Sequence, residues 1–383
     1  MGTNLFRKLK QRFLPPSSRS FHTASEDIMR RLDELSSRID QVDNHVSCLE
    51  EHVSQESAII NEHTRLRFEA LYRDEGETGS GVKKRFFASI PPAEGDLRLS
   101  QLSTAKLMKV LNDICRSENL SYWFAYGTLI AALSRHGFIP WDDDIDICMM
   151  RTDAHKLQNI LSNDPTYQLS LVYDRWNLCK QLRFRLKNSS IPSFIDISIY
   201  DWAADYSEQH DAEFRKIRLD LMREFSDSDS FSYWNEEKFI LAPGYDRFAE
   251  PGGPNFLHSD IKLNEAEAIK IEAMFSKYQE KAYDRGILCC EAKSTAIAYA
   301  IDNIYDAPWR RTIWPKQMLL PPRDCDFEEY VFQIPHDAEA VADECYPGWP
   351  YLPKDILGHN HINRQALSDK NIRSATVEFL ADQ

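Results

Sequence analysis

The stretch that most limits what this chain can fold into runs from Tyr126-Gly127-Thr128 to Asp142-Asp143-Asp144-Ile145-Asp146-Ile147. Carboxylates and isoleucines alternate at its end, a period of two that suits a strand. Parity puts Asp142, Asp144 and Asp146 on one face and Ile145 and Ile147 on the other. Three like charges at this spacing repel one another strongly unless a cation neutralises them. Hard divalent cations prefer oxygen donors and complete their shell with waters and substrate phosphates. The stretch therefore points to a site for Mg2+ or Mn2+ held by Asp142, Asp144 and Asp146. A solvated turn is the competing reading for Asp142 and Asp143.

The residues on either side supply a setting for that site. Ser121 to Ala125 is a short apolar and aromatic strand, and Gly127-Thr128 then opens a helix through Leu133. A glycine and a hydroxyl at a helix N-terminus can present N–H groups to a phosphate, although most such pairs are ordinary helix starts. Arg135 closes the helix, where it either reaches a phosphate or complements the helix dipole. Phe138-Ile139-Pro140-Trp141 leads into the acidic stretch. A helix is expected near 153–161 and a strand near 167–173. Lys180, Arg183, Arg185 and Lys187 then alternate with Leu182, Phe184 and Leu186, a pattern that presents a row of cations to an anionic nucleotide or protects an edge strand. Asp196 lies inside the apolar run Phe194 to Tyr200, where a carboxylate must be paired, hydrogen-bonded or metal-bound. Strand, Gly-Thr helix, Asp-x-Asp strand and a later strand with one more aspartate is the order of a nucleotidyltransferase-type fold.

These residues resemble the LicD family of phosphotransferases. The likeness lies in Tyr126-Gly127-Thr128-Leu129, in Arg135-His136-Gly137-Phe138-Ile139-Pro140-Trp141 with Asp142 to Ile147, and in Phe194-Ile195-Asp196-Ile197. Phe327-Glu328, Ile334-Pro335 and Tyr346-Pro347-Gly348-Trp349 are similar to the family's C-terminal end. Ser198-Ile199-Tyr200 departs from the family, which has an aromatic-Pro-Leu run there. The resemblance implies an α/β (α+β) nucleotidyltransferase-like core with a mixed sheet and flanking helices. It also implies metal-dependent transfer of a phospho-alcohol, phosphocholine or ribitol or glycerol phosphate, from a CDP-linked donor to a sugar hydroxyl of a cell-surface glycan. On that basis Asp144, Asp146 and Asp196 are expected to be catalytic, and these three with Asp142 to hold the metal. Gly127, Thr128, Arg135, Lys180 and Arg183 are expected to contact the donor.

Outside the core, Ile28, Leu32, Leu35, Ile39, Val42, Val46, Leu49 and Val53 recur with 4-3 spacing. A narrow stripe of this kind predicts a coiled-coil helix over 21–72, and with it a homo-oligomer. Residues 1–20 carry five basic residues and no acid, with Phe6, Leu9 and Phe13 at helical spacing, so a peripheral contact with an anionic membrane is expected there. Glycines and prolines mark 73–96 as a linker, and 97–383 forms the catalytic domain with an insert near 203–262. In that insert Trp234, Tyr245 and Phe248 are candidates for sugar stacking, and His359-x-His361 near the C-terminus is read as a surface loop.

A formal net charge of -14 argues against nucleic acid as a partner. The cysteines read as reduced thiols, and no apolar run reaches spanning length. The expected location is cytoplasmic, with peripheral contact at the inner face of the membrane. Two other classes fit parts of the pattern. One is a glycosyltransferase that holds a nucleotide-sugar through Asp-x-Asp; the other is a non-catalytic oligomeric scaffold for glycan assembly.

Overall fold

The computed structural model describes residues 18–174, 179–188, 190–227, 239–241, 265–303, 311–351 and 366–382. Most of the basic N-terminal segment, Trp234, Tyr245, Phe248 and the His359-x-His361 pair lie outside them. The chain divides into two units, Met1–Val82 and Lys83–Gln383.

The first unit is dominated by α1, Ser18–Tyr72, a helix of 55 residues. No glycine or proline interrupts this span. At about 1.5 Å per residue it extends roughly 80 Å. Every residue of the apolar stripe is exposed, from Ile28 at 59% to Val53 at 61%. Among the described residues no helix is long and apolar enough to cross a membrane. The 73–96 segment, read as a linker, carries a second helix, α2, at Gly79–Ser89. Its glycines bound the helix instead of breaking it: Gly76 turns the chain at φ +77°, Gly79 and Gly81 occupy the first turn, and Pro91 follows the end.

The second unit begins within α2, at Lys83, and continues with α3, Gly95–Ser117, which buries Leu107, Met108 and Leu111. Then come β1 (Tyr122–Phe124), α4 (Tyr126–Arg135), β2 (Asp146–Met150) and α5 (Arg151–Leu161). A run of three strands follows: β3 (Tyr167–Asp174), β4 (Cys179–Leu186) and β5 (Phe194–Ala203). After them lie α6 (Glu208–Asp227), β6 (Phe239–Leu241), α7 (Glu265–Asp284), β7 (Ala296–Tyr299) and β8 (Ile313–Pro315). The chain closes with α8 (Lys316–Leu319), β9 (Arg323–Phe327), β10 (Tyr330–Ile334), α9 (Ala338–Cys345) and α10 (Lys370–Ala381).

The main sheet runs β1-β2-β5-β4-β3-β6, with β7 on β5 and β8 on β7. Among the described residues β2 and β5 pair in parallel and the other pairings of this sheet are antiparallel. This mixed sheet with helices around it is the expected α+β class. β5 is its axis: β2 lies along one side, while β4 covers residues 194–197 and β7 residues 200–203 of the other. Ile195, Ile197 and Ile199 point into the main core with Ile147, Phe184 and Leu129. A smaller core joins Phe214, Ile217 and Leu221 of α6 to Ile271, Phe275 and Tyr278 of α7. The β9–β10 hairpin forms its own sheet and packs Phe327 and Phe332 against Phe124 at 5.3 and 5.4 Å between ring centres.

Candidate active site

β1 and β2 run antiparallel, and between them the chain turns into α4 and returns through the acidic stretch. The strand starts at Asp146, so Asp142 to Ile145 lead into it as an irregular segment and not as part of the alternation. Free of strand parity, Asp142, Asp143 and Asp144 converge: one oxygen from each lies within 4.8 Å of the others. Asp143 is 1% exposed and Asp144 8%, so burial overturns the solvated-turn reading of Asp143. Asp146 and Asp196 are register partners on the parallel strands β2 and β5 and therefore share a face of the sheet.

The Gly-Thr pair holds these carboxylates in place. A Cβ on Gly127 would lie 3.0 Å from Asp142 Oδ2, so glycine lets this carboxylate approach the first turn of α4. An anion at that end is favoured by the helix dipole. Thr128, buried, accepts a hydrogen bond from the Asp146 N–H at 2.9 Å and fixes the first residue of β2. The Ala125 N–H bonds the Asp146 carbonyl at 3.1 Å. Tyr126, between them, has φ +46°, and its hydroxyl meets those of Ser198 and Tyr299.

Two groups from distant parts of the chain fix the segment that leads to the acidic stretch. Buried Gln101 of α3 donates to the carbonyls of Ile139 at 3.3 Å and Asp142 at 2.7 Å. Glu328, in the two-residue turn between β9 and β10, accepts from the Phe138 N–H at 3.1 Å and forms a fork with Arg98 at 2.9 and 2.6 Å. Its own N–H donates to the His136 carbonyl. Gly137 leaves room for it, since a Cβ there would meet Glu328 Oε1 at 2.8 Å. Burial alone raises the Glu328 carboxyl, but the bonds from Arg98 and Phe138 outweigh it and hold the group below its ordinary value. Glu328 has φ +55°, a strained position for a residue other than glycine or asparagine. Gln101 carried no sequence signal, whereas Glu328 lies in a pair already singled out by the family resemblance.

The expected row of cations divides. Arg183 is register partner to Asp196 and pairs with it, Nε to Oδ1 at 2.6 Å and Nη2 to Oδ2 at 3.3 Å. Its guanidinium also stacks on Phe194 at 4.6 Å. Arg185, on the same face, bonds Ser170 Oγ at 2.7 Å. Lys180 has the opposite parity and does not join this row. It reaches Glu272 at 2.8 Å and Asp302 at 3.4 Å. Arg135 likewise does not face the carboxylates. It donates to the carbonyls of Phe87, Ile90 and Phe138 and lies over the Phe87 ring, and burial lowers its pKa.

Lys180 belongs to a second polar group at the far end of β2 and β5. Arg151, the first residue after β2, forks onto Asp201 at 2.7 and 2.8 Å and also binds Asp302. Burial raises the Asp302 carboxyl, but Arg151 and Lys180 overcome this and hold it well below its ordinary value.

The structure places a mixed sheet, an acidic loop and a parallel pair of register-matched aspartates together. Residues 119–236 match the family model described as LicD/FKTN/FKRP, nucleotidyltransferase domain. A lipopolysaccharide cholinephosphotransferase, LicD, of Haemophilus influenzae is 29% identical over 121 residues, which cover 27% of this chain and 44% of that protein. An uncharacterised protein of Rickettsia prowazekii is 28% identical over 172 residues, 43% of this chain and 62% of the relative. One of Rickettsia typhi is 36% identical over 90 residues, 24% of each. The chain thus spans less than two thirds of the length of each of these relatives.

Proposed function

We propose that this protein transfers a phospho-alcohol, phosphocholine or ribitol or glycerol phosphate, from a CDP-linked donor to a sugar hydroxyl of a cell-surface glycan. The observation that carries this reading is the gathering of Asp142, Asp143 and Asp144 within 4.8 Å beside the register-paired Asp146 and Asp196. The similarity to a lipopolysaccharide cholinephosphotransferase supports the class of group transferred.

An all-carboxylate set fits Mg2+ or Mn2+, which take oxygen donors. Asp144 and Asp146 would hold the ion, with Asp142 completing its shell, and Asp143, buried beside them, would join them. Such an ion supplies charge neutralisation at the donor diphosphate. The protein's own part is positioning. Backbone N–H groups at Gly127 and Thr128 face the anionic donor at the start of α4. Arg183 holds Asp196 in a fixed orientation, and each carboxylate oxygen keeps a second lone pair, so Asp196 can still serve as third ligand or as base. As base it takes the proton of the acceptor hydroxyl. The oxygen bonds to the phosphorus that bears the alcohol, the bond from that phosphorus to the CMP oxygen breaks, and CMP leaves with the electron pair. Lys180 and Arg135, held elsewhere, drop out of the donor-binding set.

The test is incubation of the purified chain with Mg2+, a glycan acceptor, and CDP-choline, CDP-ribitol or CDP-glycerol in turn, with CMP release and acceptor mass as readouts. Release of CMP together with a matching mass gain is the expected result. Turnover of UDP- or GDP-sugars in its place assigns the chain to the glycosyltransferases. Failure to bind either divalent metal or nucleotide in calorimetry assigns it to scaffolds.

A further inference from the structure

The stripe on α1 has a charge pattern that selects both a partner and an orientation. Its heptads place Leu32, Ile39, Val46, Val53 and Ile60 at a, and Ile28, Leu35, Val42 and Leu49 at d. The seam ends where the next d positions become Glu56 and His63. Four of the five a residues are β-branched and two of the four d residues are leucine, a bias toward two strands. The residues flanking the seam are sorted by sign. The g positions are Arg31, Arg38, His45 and His52, while the e positions include Asp43 and Glu50. Arg38, Asp43 and Glu50 have no ion-pair partner among the described residues, and Glu34, one turn before Arg38, is paired with Arg30 at 2.5 Å.

We infer that two copies of this chain pair through α1 as a parallel, in-register, two-stranded coil. In that arrangement each g residue faces the e residue five positions later on the other copy. Arg38 then meets Asp43 and His45 meets Glu50, on both sides of the coil. An antiparallel coil sets g against g and e against e, which places Arg38 and the histidines together and Asp43 with Glu50. A parallel coil displaced by one heptad keeps the Arg38 contact with an acid on one side and sets it against Ser36 on the other. In register, the stripe also buries every one of its apolar layers against an identical layer, removing side chains that stand about half exposed on a lone helix.

The inference is independent of the catalytic reading. Light scattering on the full-length chain at micromolar concentration should give twice the chain mass. Leu35→Cys in a Cys48→Ser background should form a disulfide-linked pair under mild oxidation, whereas the background chain should not, because only a parallel, in-register coil sets position 35 against itself. Arg38→Glu should raise the dissociation constant several-fold, and adding Asp43→Arg should restore it. Circular dichroism on each variant separates loss of pairing from loss of the helix. A monomer mass or a trimer mass overturns the inference, as does a dimer that Leu35→Cys fails to cross-link.

Discussion

Two groups of carboxylates sit at opposite ends of one pair of parallel strands. Where β2 and β5 begin, Asp142, Asp143 and Asp144 crowd against one another beside Asp146 and Asp196. Where the same strands end, Asp201 and Asp302 each lie against Arg151, with Lys180 closing the group. Both groups are rich in aspartate, and at the first end Arg183 pairs with Asp196 while Asp142, Asp143 and Asp144 approach one another within 4.8 Å. Carboxylates facing cations form a self-contained ion network that ties α5, β5 and the chain after β7 together. Carboxylates gathered as closely as Asp142, Asp143 and Asp144 repel one another, and a bound cation would offset that repulsion. The proposed function uses the first group, and the second reads as a structural ion network.

Substitutions can break this contrast. At the first end, Asp144→Ala or Asp146→Ala should lower transfer by at least roughly 10²–10³-fold, the scale for lost charge stabilisation in a transition state. The denaturation midpoint should stay the same or rise, because a crowded charge has been removed. Substantial metal-dependent turnover in either variant would sink the assignment. At the second end, Arg151→Ala leaves buried Asp201 without its cation and Asp302 with Lys180 alone, and should cost about 3–5 kcal/mol in urea unfolding, with turnover per folded molecule preserved. A stable Arg151→Ala chain that has lost activity would reverse the roles given to the two ends.

A smaller effect tests how the site is held. Gln101→Leu removes the bonds to the carbonyls of Ile139 and Asp142 and should weaken Mg2+ binding about tenfold, as loss of an outer support does in metal sites. Calorimetry with Mg2+ checks this, and unchanged affinity would show that the acidic loop holds its shape alone. The smallest effect is that of pH. Asp302 is held below its ordinary value in the folded chain, so its contribution to stability is complete above the unfolded value near 4 and is lost as pH falls below it. Stability measured from pH 6 to 3 should fall less steeply in Arg151→Ala than in the parent chain.

The sequence made some of this plain and hid the rest for physical reasons. The apolar run around Asp196 located β5, buried on both faces, and the 4-3 spacing of Ile28 to Val53 marked the stripe of α1, which is exposed on the single helix. Alternation mis-sorted the acidic stretch. Pro140 and Trp141 put a turn before Asp142, the ladder begins only at Asp146, and parity has no meaning ahead of it. Asp143, set aside by parity, is the most buried of the three converging aspartates. Lys180 was grouped with Arg183 by composition, although its even number places it on the other face. Arg135 depends on carbonyls more than forty residues away, which no local pattern encodes. The second carboxylate group was equally hidden, since Arg151 meets Asp302 across 151 positions of chain.

The Glu328 fork has a bearing on how the protein is made. Synthesis runs from the N-terminus, and the aspartates from 142 to 196 leave the ribosome long before the hairpin that carries Glu328 does. Until then Phe138, 190 positions earlier, lacks its acceptor, and Arg98 lacks the carboxylate it grips. Gly137 keeps that place open. The loop bearing the charged cluster gains these restraints only when the β9–β10 hairpin docks, so a nascent or truncated chain carries the aspartates without the contacts that fix the segment leading to them.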